Sequence, residues 1–189
     1  MKKKIAKILR SRVFIVIFAA VLIVVALSLK FGAFNHNPVK SDVSSTQSVE
    51  SDFSLLIPSI DVEAPIIQGV DPTNADIYNK ALEGGVAHMN GTALPGDGKG
   101  NIFIYGHSSA SIASKYDKIF AKLNDLNNSD TIVVSYKGSN YTYEVTDKKI
   151  VEKTDMSVLD QTPSEQLTLM TCWPIGTDAQ RLVVIAQKK

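Results

Sequence analysis

Cysteine, tryptophan and histidine are scarce in this 189-residue chain, which has one cysteine, one tryptophan and three histidines. With Cys172 as its only cysteine, the chain cannot close a disulfide within itself. It also has no CxxC pair and no Cys/His cluster with the spacing of a zinc site. We therefore predict no metal and no cofactor. The thiol remains a buried packing group, an intermolecular link or a working nucleophile.

An excess of charge of one sign is also missing, since the formal net charge is only +1. This near balance argues against a nucleic-acid-binding surface that covers the whole protein, and we predict no nucleic-acid partner. The balance hides an asymmetry, because residues 1–12 hold six basic and no acidic side chains. The rest of the chain therefore carries a small net negative charge.

Residues 13–29 form an uncharged run of 17 residues that is broken only by the small polar Ser28. As a helix this run would span about 25 Å, close to the apolar thickness of a bilayer. A core helix would be amphipathic, and a cleaved signal peptide has a shorter apolar run with a small-residue cleavage site. We expect an uncleaved transmembrane signal-anchor at 13–30, with the basic tail 1–12 in the cytoplasm. The remaining chain would then lie outside the cytoplasm, attached to the cell membrane by a single pass.

Two further segments follow the predicted anchor. Residues 31–52 are expected to be a flexible extracytoplasmic linker, because their polar composition cannot offset the entropy of ordering. Over 53–189 the pattern predicts seven or eight short strands and two short helices, at 74–85 and 114–126. Most strands follow one another without a helix between them. A closed antiparallel or mixed β-barrel is therefore favoured over a parallel α/β sheet.

Three side chains of this domain could supply acyl-transfer chemistry. Cys172 ends the predicted strand QLTLMTC, and Arg181 begins the strand RLVVIAQ after an eight-residue loop. If these strands pair as an antiparallel hairpin, the thiol and the guanidinium lie at the same end of the barrel. Arg181 could then donate two hydrogen bonds to a carbonyl or an oxyanion. His107 follows the strand NIFIY where the strand meets a loop, a common place for catalytic groups.

Each of these residues taken singly also has a plainer interpretation. Cys172 could be a packed core thiol, Arg181 a surface cation and His107 a structural or solvated imidazole. Two longer segments favour the functional interpretation, because they resemble blocks of the sortase family. LTLMTCWPIGTDAQR, at 167–181, is similar to the sortase active-site segment TLxTC with its following arginine. HMNGTALPGDGKGNIFIYGHS, at 88–108, is similar to the block that ends in the essential histidine of the family.

The resemblance covers about 53–189 and implies an eight-stranded β-barrel that acts as a cysteine transpeptidase. Cys172 would attack the Thr–Gly bond of an LPXTG-like sorting signal in a secreted protein. An amine of a cell-wall precursor would then resolve the thioacyl-enzyme. The resemblance also implies that His107 is the general acid and then the base. Arg181 would hold the signal and stabilise the oxyanion, and Thr171 would help to position the substrate.

The resemblance is less specific for two neighbouring residues and for the class. His88 is expected to be structural or to hold other site residues in place without touching the substrate, with a direct substrate contact as the alternative. Trp173 either lines the loop beside the site or packs. The short loop CWPIGT looks more like class D or class E sortases, and we expect no C-terminal transmembrane segment, in contrast to typical pilin-polymerising sortases. We therefore expect general protein anchoring, with pilin polymerisation through a lysine or an inactive peptide-binding barrel as alternatives.

Overall fold

A computed structural model describes residues 52–109 and 114–189, and in these residues eight strands close into one barrel. Around the barrel the strands follow the order β1-β2-β3-β4-β7-β8-β6-β5. The strands are β1 Phe53–Ile57, β2 Val62–Val70, β3 Val86–Met89, β4 Gly100–Tyr105, β5 Thr131–Tyr136, β6 Ser139–Glu152, β7 Glu165–Trp173 and β8 Gln180–Lys188. The predicted eight-stranded mixed barrel is confirmed, since β2–β3 and β4–β7 pair in parallel and the other pairs are antiparallel.

The described residues contain one α-helix, α1, at Ala75–Gly84. Asn74 caps it, because its side-chain oxygen accepts a hydrogen bond from the Ile77 N–H at 3.1 Å. The chain leaves α1 through Gly85, where a Cβ atom would lie only 2.2 Å from the Pro65 carbonyl oxygen. Glycine is therefore required where the helix passes into β3. Three short 3₁₀ segments complete the helical structure of the described part, at Pro58–Ile60, Leu123–Asp125 and Met156–Leu159.

The second predicted helix, at 114–126, is wrong. This segment forms successive turns that end in the 3₁₀ segment Leu123–Asp125. Its N–H groups bond to carbonyls three residues earlier, as from Ile119 to Tyr116 at 3.1 Å. The Phe120 N–H instead donates to the carbonyl of His107 at 2.9 Å. A tertiary contact thus replaces the helical hydrogen bond at that position, and Phe120 and Leu123 are buried in the barrel.

Strand β4 is buried on both faces, as its continuous apolar sequence suggests. Ile102 and Ile104 join the cluster that fills the barrel. Phe103 and Tyr105 join a second cluster, to which α1 contributes Leu82. Val158 of a 3₁₀ segment also belongs to this second cluster. The barrel therefore has a covered outer face along β4, β7 and β8, in addition to its filled interior.

A buried carboxylate, Glu165, fixes the end of the barrel where β7 begins. One of its oxygens accepts a hydrogen bond from the Tyr143 hydroxyl at 2.7 Å. The other oxygen accepts from the N–H groups of Gly96 at 3.2 Å and Gly98 at 2.9 Å, and from Lys188 Nζ at 3.1 Å. The loop before β4 is thereby attached to β6, β7 and β8.

Part of the predicted organisation falls outside the described residues. The expected basic tail, signal-anchor and linker occupy 1–52, of which the structure describes only residue 52. Within 52–109 and 114–189, no helix combines the length and apolar character needed to cross a bilayer.

Candidate active site

Strand register brings the predicted site residues to one end of the barrel. In the antiparallel pair β7–β8, Cys172 lies directly opposite Arg181. The parallel pair β4–β7 runs in register from Gly100↔Glu165 to Tyr105↔Met170. Continuing the same offset for two more residues puts His107 level with Cys172. Cys172 and Arg181 therefore form a row across neighbouring strands on one face of the sheet, and His107 follows β4 by two residues at the same end of the barrel.

The junction between β4 and β7 is held beyond the last paired residues. The Gly106 N–H donates to the Met170 carbonyl at 3.2 Å, and the Thr171 hydroxyl donates to the Gly106 carbonyl at 2.8 Å. Gly106 is required here, because a Cβ atom would lie 2.9 Å from the Phe120 ring. These contacts fix the residue before His107 against the residue before Cys172.

The electrostatic setting of the row combines a cation with a neutral imidazole. Arg181 is held by its Nη1, which donates to the carbonyls of Asp178 at 3.1 Å and Gln180 at 2.9 Å. Within the described part of the chain, no protein acceptor engages its Nε or Nη2. His107 is half-buried, and burial lowers the pKa of its imidazole, although the charge of Asp117 acts in the opposite direction. The imidazole is thus mainly neutral near pH 7 and able to accept a proton.

A groove with a cavity volume of about 260 Å³ runs from this row along the outer face of the barrel. Cys172, a free and half-buried thiol, lines it together with Arg181, whereas His107 does not. The remaining walls are mainly apolar and come from β3, β4, β6, β7, α1 and the connection before β7. They include Met89, Phe103, Tyr105, Val158, Leu159 and Met170. A groove of this kind suits an extended apolar segment with its polar end at the thiol.

Three predicted residues lie away from this row or are turned from it. Thr171 borders the groove, but it is buried and its hydroxyl is engaged with Gly106. Trp173 is half-buried and packs against the cluster inside the barrel. His88 pairs with Ile104 in the β3–β4 register and shares its barrel-facing side. The sheet therefore separates the His88 ring from the groove.

The His88 ring is fully occupied by neighbouring backbone. Its Nε2 lies 2.9 Å from the Ala93 carbonyl, to which it can donate, and its Nδ1 accepts from the Gly69 N–H at 3.4 Å. Burial lowers the pKa of this histidine, while the Ala93 carbonyl acts in the opposite direction. A neutral ring with one donor and one acceptor satisfies both neighbours, and it connects β2, β3 and the loop that follows β3.

Two tyrosines of the groove were not singled out from the sequence. Tyr78 of α1 stacks on Tyr105 of β4, with ring centroids 5.6 Å apart and an interplanar angle of 13°. The Tyr105 hydroxyl is buried and has no hydrogen-bond partner among the residues that the structure describes. The apolar run NIFIY placed Tyr105 in a strand, but nothing local indicated which groups would surround its hydroxyl.

The described residues hold no group of three or more His, Cys, Asp or Glu side chains arranged for a metal ion. The fold and the site thus define a closed β-barrel with a half-buried thiol, a paired arginine and a nearby histidine at the mouth of a peptide-sized groove. The sortase domain family model matches residues 55–189, and the chain belongs to the sortase family, whose members are cysteine transpeptidases.

Relatives and solved structures agree with this family. The chain is 30% identical over 138 residues to sortase D of Bacillus subtilis, covering 71% of this chain and 62% of that protein. It is 26% identical over 134 residues to sortase A of Listeria monocytogenes, covering 71% of this chain and 54% of that protein. The chain therefore spans less than two thirds of the length of these relatives.

Two solved structures show the same barrel. Sortase C-1 from Actinomyces oris superposes with a TM-score of 0.63 at 33% identity, covering 72% of this chain and 73% of that one. A lid mutant of sortase A from Corynebacterium diphtheriae gives a TM-score of 0.61 at 34% identity, covering 72% and 69%. The sortase fold expected from the two sequence blocks is confirmed.

Proposed function

We propose that this chain is a transpeptidase that cleaves an LPXTG-like sorting signal in secreted proteins and transfers the acyl group to a cell-wall amine. The observation that carries the proposal is the β7–β8 register, which sets the free thiol of Cys172 directly opposite Arg181 in the groove. A cation beside a thiol favours the thiolate and can stabilise charge that develops on a carbonyl oxygen. Membership of the sortase family supports the same chemistry.

The first half of the reaction forms the thioacyl-enzyme. His107 accepts the proton of the Cys172 thiol, and the sulfur attacks the carbonyl carbon of the Thr–Gly bond. A C–S bond forms, and the carbonyl oxygen takes the negative charge. Arg181 donates to this oxygen through the N–H groups that its backbone partners leave available. The C–N bond then breaks, and the leaving amine takes its proton from His107.

The second half reverses these roles. The incoming amine attacks the thioester carbon, a C–N bond forms and the C–S bond breaks. His107 takes a proton from the amine, and the Cys172 sulfur leaves as the thiol or thiolate. Thr171 contributes by holding Gly106, and hence the neighbouring His107, at a fixed position relative to the nucleophile.

The biological setting is part of the proposal. The signal-anchor at 13–30 would hold the enzyme in the cell membrane with the barrel outside the cytoplasm, where secreted proteins emerge. The short connection from β7 to β8, which resembles the loop of class D or class E sortases, supports a general anchoring role rather than pilus assembly. The amine acceptor would accordingly be a peptidoglycan precursor.

A product assay with a matched variant tests this function. The domain is incubated with a quenched Leu-Pro-Ala-Thr-Gly peptide, with no amine, with oligoglycine, with a stem-peptide amine or with a pilin-type lysine peptide, and products are identified by mass spectrometry. We expect an amine-dependent ligation product and a thioacyl adduct on Cys172. Cys172→Ala should lose both while keeping its circular dichroism spectrum. Peptide hydrolysis with no ligation to any amine, or turnover by Cys172→Ala, contradicts the proposal.

A further inference from the structure

The hydroxyl of Tyr105 is the one buried side-chain nitrogen or oxygen that lacks a hydrogen-bond partner in the described residues. The residue as a whole is only 4% exposed. Buried polar groups in folded proteins are almost always paired, because an unpaired one destabilises the fold. An orphaned hydroxyl in the wall of a groove therefore points to a partner that arrives with a ligand.

The position of this hydroxyl relative to the nucleophile is set by strand register. Tyr105 pairs with Met170, one row below the row that contains Cys172. Two residues of strand rise about 6.6 Å, and two residues of an extended peptide rise by the same amount. A peptide whose scissile carbonyl lies at the Cys172 sulfur, and which runs along the groove, thus brings the backbone two residues earlier to the level of Tyr105.

The surroundings make this single donor effective. The walls of the groove are mainly apolar, with Phe103, Met170 and Val158 among them, although Lys153 and Asp155 also line it. In such a site one well-placed polar group fixes the orientation of a ligand. Burial raises the pKa of Tyr105, as do the neighbouring Tyr78 and Asp71, so the phenol stays protonated and remains a donor.

Tyr78 contacts Tyr105 and also interacts electrostatically with Cys172 and Arg181. Its ring stacks on Tyr105 at 5.6 Å. Burial raises the pKa of Tyr78, the charge of the Cys172 thiolate raises it further, and Arg181 acts in the opposite direction. Tyr78 is therefore within electrostatic reach of the row, and its half-buried ring lines the groove beside Tyr105.

We propose that the Tyr105 hydroxyl binds the peptide backbone, donating a hydrogen bond to the carbonyl two residues before the scissile carbonyl. In a Leu-Pro-X-Thr-Gly signal this is the proline carbonyl. The contact holds the peptide in the register that delivers its Thr–Gly bond to Cys172. The inference rests on the proposed function, because it requires a peptide acyl donor in the groove.

The first test removes only the hydroxyl. Tyr105→Phe should raise the melting temperature by a few degrees, since the unpaired group is gone, and should lower kcat/KM for the peptide about tenfold. A purely structural tyrosine would not combine these two changes. Tyr136→Phe, which alters a buried tyrosine outside the groove, is the matched control and should leave kcat/KM unchanged. An unchanged kcat/KM or a lower melting temperature for Tyr105→Phe overturns the inference.

The second test identifies the carbonyl by binding alone. Affinity for Leu-Pro-Ala-Thr-Gly is measured in Cys172→Ala, and compared with an analogue that has lactic acid in place of alanine. The ester makes the proline carbonyl a weaker acceptor. We expect the ester to weaken binding to Cys172→Ala several-fold, and to have a smaller effect once Tyr105→Phe is added. Equal effects in both backgrounds overturn the assignment.

The two tests separate this inference from the function on which it rests. If the unmodified enzyme ligates the peptide and Tyr105→Phe does so equally well, only the role of Tyr105 is lost. If the enzyme neither turns over the peptide nor binds it as Cys172→Ala, both proposals fail together. The rate of Cys172 alkylation by iodoacetamide should be similar in Tyr105→Phe and the parent, which shows that the thiol itself is unaltered.

Discussion

The polar groups at the two ends of β7 differ in whether they have hydrogen-bond partners within the described fold. Where β7 begins, the buried Glu165 carboxylate accepts several hydrogen bonds, including those from the Tyr143 hydroxyl at 2.7 Å and Lys188 at 3.1 Å. Where β7 ends, the Cys172 thiol is free, and the neighbouring Tyr105 hydroxyl is buried without a partner. Polar groups are satisfied within the fold at the first end and are left for a ligand at the second, which is the usual division between stability and function.

The largest expected effect is on catalytic activity, at the end of β7 that carries Cys172 (the open end). Arg181→Ala should lower kcat/KM for the sorting peptide by about 100- to 1000-fold, because it removes the donor that faces the developing oxyanion. Arg181→Lys should recover little, since an ammonium group cannot reproduce the planar, bidentate geometry. Lys122→Ala removes an exposed cation outside the groove and serves as the control. Steady-state kinetics that show less than a fivefold loss for Arg181→Ala would contradict the assigned role.

At the beginning of β7, where Glu165 lies (the closed end), the expected effect is on the stability of the fold. Glu165→Ala leaves the Tyr143 hydroxyl and the N–H groups of Gly96 and Gly98 without their shared acceptor. We expect a loss of about 3 kcal/mol in the free energy of unfolding, measured by urea denaturation. At a temperature where the variant is folded, its Cys172 alkylation rate should match that of the parent. A large activity loss in the folded variant would show that the two ends are coupled.

Acid should lower the stability of the fold at the closed end by protonating Glu165. Burial raises the pKa of Glu165, but the hydrogen bonds from Tyr143, Gly98, Lys188 and Gly96 outweigh it and leave the pKa below its ordinary value. The unfolded chain therefore binds this proton more tightly than the folded one. The stabilisation is complete above the unfolded pKa of about 4.3 and is lost as pH falls through the folded value. The melting-temperature gap between the parent and Glu165→Gln should accordingly narrow between pH 6 and pH 3.

The smallest effect is expected at the rim of the groove. Lys153 and Asp178 approach to 3.5 Å, but their side chains are 50% and 79% exposed. Lys153→Met should change the free energy of unfolding by less than about 0.5 kcal/mol, because water screens an exposed pair. Lys188→Met, which removes the partner of a buried carboxylate at the other end, should cost more. Equal losses in the two variants would remove the proposed difference between the ends.

Local sequence was sufficient where chain neighbours make the contact. The eight residues between Cys172 and Arg181 predicted a hairpin, and the structure pairs these two residues directly. The β5–β6 hairpin is likewise local, with Lys137 and Gly138 forming its turn at φ of 50° and 75°. Neither required knowledge of the rest of the barrel.

Local sequence was insufficient where the contact is distant in the chain. The parallel pairing of β4 with β7 brings together segments about 65 residues apart, and only the family resemblance linked His107 to Cys172 before the structure was known. The gathering of partners around Glu165 and the stacking of Tyr78 on Tyr105 depend on that pairing and on where α1 packs. The error at 114–126 has the same origin, since a contact from Phe120 to His107 overrode the local helical preference.

Because β4 and β7 pair with a constant offset, the fold should tolerate substitutions in β4 better than insertions or deletions. Substitutions along β4 change the groove side chain by side chain. A single-residue insertion between Gly100 and Tyr105 would instead exchange the two faces of the strand, turning Ile104 toward the groove and Tyr105 toward the barrel. Natural divergence and laboratory evolution of this scaffold should therefore accumulate length changes in the connections, and keep the residue count of β4 and β7 constant.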